Sequence, residues 1–118
     1  MLPAFHHNWF YVAVATTGAV GLWGVVLAWR GIPPGRRFGV ATAVAIAVML
    51  VQVASGLAMY AGGREPGNDF HTFYGVVIVI TFALAYVWRA AMARRPALSY
   101  GLLLLFVMGL GLRAWGEM

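Results

Sequence analysis

Residues 38–60 read FGVATAVAIAVMLVQVASGLAMY, a run without a single charged side chain. Wound as a helix at about 1.5 Å per residue, it covers the roughly 30 Å of hydrocarbon in a bilayer. Three further apolar runs lie outward from it, at 9–29, 70–88 and 98–115, each of a similar length. Aromatic residues stand near almost every end: Trp9, Phe10 and Tyr11, then Trp29, Tyr60, Trp88, Tyr100 and Trp115. Amphipathic rings prefer the lipid–water boundary, so these positions mark where each run leaves the membrane. The pattern predicts an all-α membrane protein of four transmembrane helices.

Composition agrees with that reading. Of the 118 residues, 63% are hydrophobic and 9% charged, a balance far from that of soluble domains. Each crossing consumes about 20 apolar residues and a turn, so residues 1–118 form one domain. With no cysteine, disulfides, thiolate metal sites and iron–sulfur clusters are excluded together. The net charge of +5 comes from arginines that flank the apolar runs, where they report topology, and no nucleic-acid site is read from it. The amino end, MLPAFHHN, lacks the basic region of a signal peptide and is expected to remain attached to the first helix.

The connections RGIPPGRR, AGGREPGND and RAAMARRPA are short and rich in breakers, which makes consecutive helices antiparallel neighbours in an up-down-up-down bundle. Arg30, Arg36 and Arg37 fall in the first connection and Arg89, Arg94 and Arg95 in the third, against Arg64 and Arg113 on the opposite side. The positive-inside rule then places both termini outside. The expected location is the cell membrane, as a multi-pass protein. Exclusive use of arginine as the basic residue points to a GC-rich bacterial genome and so to a bacterial plasma membrane.

The titratable groups are one-sided. Glu65, Asp69 and Glu117 share the outer side with His6, His7 and His71. No charged residue lies near the middle of a run, which removes the buried acid or base of a proton-coupled pump. At the start of the third helix, Asn68 or Asp69 can cap the first turn, and His71 follows directly. Four residues on, Gly75 shares the His71 face and leaves a groove there. The second helix returns to the same side through Gln52, Gly56 and Met59 on one stripe, and the first through His7, Tyr11 and Gly18. Close helix packing and interhelical hydrogen bonds account for the glycines, Gln52 and the threonines equally well.

Histidines from different helices near one face, glycines beneath them and arginines at the rim can ligate a haem. On its helix count, His7, and His71 with Gly75, the chain resembles the four-helix membrane cytochromes of the b type, which clamp haem between histidines near helix ends. The resemblance implies a haem b bound by His71 with His7, or with His6 or Met59 in its place, with Arg64 and Arg113 on the propionates. Those bundles usually carry histidine pairs at both faces. None occurs at the inner end here, which leaves room for one haem and for one-sided electron exchange with a quinone.

Other readings stay open. His6, His7 and His71, with Asp69, offer a copper or zinc site. His71 or Tyr74 can hydrogen-bond a quinone carbonyl or a lipid headgroup. A non-catalytic accessory or assembly subunit of a larger membrane complex needs no cofactor at all, and a small-molecule transporter would have to assemble its pathway as a homo-oligomer. No motif in the sequence identifies a reaction.

Overall fold

The structure is a computed structural model that describes residues 2–61 and 69–116. Its helices follow in the order α1 (Leu2–Arg30), α2 (Arg36–Ala61), α3 (Asp69–Val87), the single turn α4 (Arg89–Met92) and α5 (Pro96–Gly116), with no strand among the described residues. Among the described residues, three stretches are long and apolar enough to cross a membrane: Pro3–Arg30, Arg36–Met59 and Pro96–Gly116. The apolar part of α3, His71–Val87, is shorter. At about 1.5 Å per residue it reaches about 26 Å. The expected run at 70–88 is therefore helical but does not match the other three in length.

The helix ends follow from local chemistry. α1 begins two turns before its apolar run, because Pro3 sits in a first turn where no intrahelical N–H is needed. That extension carries His6 and His7 on the helix itself. At the other end Gly31 takes a positive φ of 69°, and the chain closes with Gly31 N–H donating to the Ala28 carbonyl at 3.2 Å and Ile32 N–H to the Leu27 carbonyl at 2.9 Å. This pair of bonds satisfies carbonyls orphaned at the helix end, and Pro33 and Pro34 prevent continuation. Between α3 and α5 the expected loop is partly helical: Trp88 breaks α3 at φ −98° and ψ 22°, α4 makes one turn, and Pro96 opens α5. The cap expected of Asn68 or the Asp69 carboxylate lies outside the described residues.

α1 is the central helix, packed extensively on α5 and on α2, while α3 packs chiefly on α5. Trp9 donates its indole N–H to the Val48 carbonyl at 2.9 Å and Trp23 meets Phe38 edge-on at 5.4 Å, so α1 and α2 run in opposite directions. Phe10 stacks on Trp115 at 5.9 Å at one end of the α1–α5 contact, and Gly24 meets Ala97 and Gly101 at the other. α5 is thus also antiparallel to α1. The core gathers Ala13, Met49, Ile78 and Val107, one from each long helix.

The α1–α5 crossing is close because it lacks side chains. A Cβ on Gly101 would lie 2.8 Å from the Val25 nitrogen and 2.9 Å from the Gly21 oxygen, and one on Gly24 would lie 2.6 Å from the Ala97 oxygen. In lipid, helices associate through van der Waals contact and small residues rather than through burial from water, and this seam supplies both. Outward, large apolar side chains such as Leu22, Val40, Ile80, Leu102 and Phe106 are half or more exposed. Such a surface suits a hydrocarbon solvent.

Candidate functional site

At the end of the bundle where α1 and α3 begin, two imidazoles from different helices face each other. The His6 and His71 ring centroids are 6.1 Å apart and their planes cross at 83°. Each ring is pinned through Nδ1. The Ser55 hydroxyl donates to the Gln52 carbonyl at 2.8 Å, which uses its one proton, so its oxygen accepts from His6 Nδ1–H at 2.6 Å. His71 Nδ1–H donates to the Ala114 carbonyl at 2.7 Å, since a carbonyl can only accept. These partners assign the same tautomer to both rings and leave the lone pair on Nε2. Histidine ligands of metals are commonly oriented this way, with the second nitrogen tied to a fixed acceptor.

Four helices build the pair. α1 presents His6, α2 supplies Ser55, α3 presents His71, and the last turn of α5 offers a backbone carbonyl. Gly56 makes room for the His6 ring: a Cβ there would lie 3.0 Å from His6 Cε1. On α3, one turn past His71, the Cβ position of Gly75 meets nothing within 4 Å. Arg113 lies next to Ala114 in sequence and leans over Tyr74, with its guanidinium carbon 5.7 Å from the ring centroid and Nε 3.4 Å from the hydroxyl. A cation therefore stands on the α3–α5 seam beside the His71 contact.

The remaining residues singled out from the sequence fall elsewhere. His7 is exposed and meets the edge of Tyr11 at 5.8 Å, not His71. Adjacent helical residues point about 100° apart, so only one of His6 and His7 can face the partner helices, and the helix phase selects His6. Met59 is half-buried on α2, one turn beyond Ser55. Arg64 and Glu65 lie outside the described residues. Gln52 is 8% exposed, and its side-chain oxygen has no hydrogen-bond partner among the described residues. The Thr16, Thr17 and Thr81 hydroxyls bond to carbonyls of their own helices, at 2.6, 2.8 and 2.7 Å, and contribute no interhelical bond. Gly18, on the His7 stripe, is covered by α5, where Met108 Sδ would lie 2.6 Å from a Cβ built on it.

Two partners escaped the sequence reading. Ser55 shares the stripe of Gln52 and Met59, and that spacing was the available signal. The Ala114 carbonyl leaves no signal, because any residue supplies one. Among the described residues no group of three or more His, Cys, Asp or Glu side chains comes together. Among the described residues the two histidines are therefore not joined by a third side chain of that kind. No protein-family model matches the chain, and neither a curated protein nor a solved structure matches it.

Proposed function

We propose that the protein is a small membrane electron-transfer module that holds one haem b between His6 and His71. The observation that carries this reading is the ring pair. His6 and His71 would hold the iron through the ring nitrogens that Ser55 and Ala114 do not engage. The pair stands at 6.1 Å with both Nδ1 protons already committed. Gly75 leaves space beside the pair for a flat ring, and Arg113 can neutralise a propionate. When bound, the haem supplies one-electron chemistry. The chain's own residues fix the ligand rings, through Ser55 and the Ala114 carbonyl.

In this reading the four-helix bundle crosses the membrane up-down-up-down, with α3 and α4 together making the third crossing. Both termini are outside, following the arginine asymmetry, in a bacterial plasma membrane. The site then lies at the outer face, and with no second histidine pair it exchanges electrons on that side only. A quinone is the fitting lipid-soluble partner. The buried side-chain oxygen of Gln52, one turn from Ser55, favours that choice, because an orphaned acceptor calls for a donor such as a quinol hydroxyl.

Haem titration of the detergent-solubilised protein tests the assignment. Wild type and His7→Ala are expected to develop the same six-coordinate spectrum, whereas His6→Ala and His71→Ala do not. Equal haem uptake by all four proteins would remove the site. A wild type that takes up no haem would instead favour an accessory subunit or a transporter without a redox group.

A further inference from the structure

The opposite end of the molecule carries a second feature that the redox reading leaves unused. The turn after α1 and the start of α5 enclose an open cleft of about 330 Å³. Leu27, Ile32, Pro33, Pro34 and Leu98 give it apolar walls, and Arg94 and Arg95 belong to its lining. That volume falls within the roughly 300–1,000 Å³ of small-molecule sites.

The charge around this cleft is unbalanced. Arg30, Arg36, Arg37, Arg94 and Arg95 are all exposed, and none has a hydrogen bond or ion pair from its side chain among the described residues. The chain's three acids, at 65, 69 and 117, belong in sequence to the other end of the bundle. Ala97 and Leu98, also in the lining, are in the first turn of α5, where backbone N–H groups have no partner within the helix. Trp29 and Trp88, both strongly exposed, flank the region at the depth of a membrane interface. An anion with an apolar body satisfies every one of these features at once.

We infer that this cleft binds the phosphate headgroup of an anionic phospholipid, with Arg94 and Arg95 on the phosphate and the start of the acyl chains along Ile32, Pro34 and Leu98. The site is independent of the haem. It differs from the diffuse attraction of any basic loop to an anionic leaflet in being confined to one pair of arginines. Arg36 and Arg37 carry the same charge, are equally exposed, and are absent from the lining.

Binding is read by titrating delipidated protein in neutral detergent with phosphatidylglycerol, phosphatidylcholine or inorganic phosphate, and following retained lipid and the melting temperature. Phosphatidylglycerol is expected to be retained and to raise the melting temperature, while phosphatidylcholine and inorganic phosphate do not. Arg94→Gln with Arg95→Gln should weaken phosphatidylglycerol binding roughly thirty-fold. Arg36→Gln with Arg37→Gln should weaken it far less. Ile32→Glu, which puts a carboxylate into the cleft from an exposed loop position, should act like the first pair. Equal losses in the two arginine pairs would overturn the site in favour of diffuse attraction. An equal response to phosphatidylcholine would overturn the anion requirement, and an equal response to inorganic phosphate would overturn the lipid as ligand.

Discussion

Two regions of the bundle use small residues for opposite ends. Where α1 crosses α5, Gly21, Gly24 and Gly101 bring backbone against backbone, and a methyl group at Gly101 would meet main-chain atoms at 2.8 Å. Near the start of α1, Gly56 of α2 instead stands aside for the His6 ring, and Gly75 of α3 faces open space. The seam has no volume to yield, and its atoms are backbone that cannot move alone. The histidine end has open space at Gly75 and is held by two hydrogen bonds to ring nitrogens. A bundle that is rigid at one crossing can hold two rings in fixed relation some turns away, which is what a ligand pair requires.

The sharpest way to break this comparison is Gly101→Leu. It is expected to lower stability by about 3 kcal/mol or more, seen as loss of the monodisperse species and of a cooperative melt in detergent. A fold that absorbs the leucine would mean that the seam is not close-packed. Next in size, His6→Ala or His71→Ala should abolish haem binding while costing only about 1 kcal/mol in the melt of the haem-free protein, the worth of one lost hydrogen bond, which separates the site from the scaffold.

Much of the scaffold was legible in sequence and less of the site. The long spans at 9–29, 38–60 and 98–115 could be read because length and apolarity are summed over many residues. The run at 70–88 looks equal to them in sequence, but the apolar stretch of α3 ends at Val87 with a break at Trp88. The choice between His6 and His7 depends on helix phase, and phase depends on a start at Leu2 that the apolar run did not reveal. Gly101 carries no signal as a lone glycine, because its role is defined by Gly21 and Gly24 on another helix. Ser55 was recoverable from its stripe, whereas the Ala114 carbonyl was not.

Smaller effects sharpen the contrast. Ser55→Ala removes the acceptor that orients His6 and should lower haem affinity about tenfold, with little change in the melt, as titration against wild type would register. Trp9→Phe deletes the bond to the Val48 carbonyl and should cost about 1 kcal/mol in the melt without altering the haem spectrum. Gly109→Ala is the control for the seam: nothing lies within 4 Å of its Cβ position. Its melt should stay the same or rise by up to about 1 kcal/mol, from the better helix propensity of alanine.

The central claim is that His6 and His71 hold one haem between them. A reduced-minus-oxidised absorbance spectrum of the protein, purified in detergent from cells supplied with haem, tests it directly. The account requires the sharp reduced band of a six-coordinate b-type haem, at one haem per chain. A featureless spectrum at full haem supply would contradict it and leave the two histidines as a structural contact between α1 and α3.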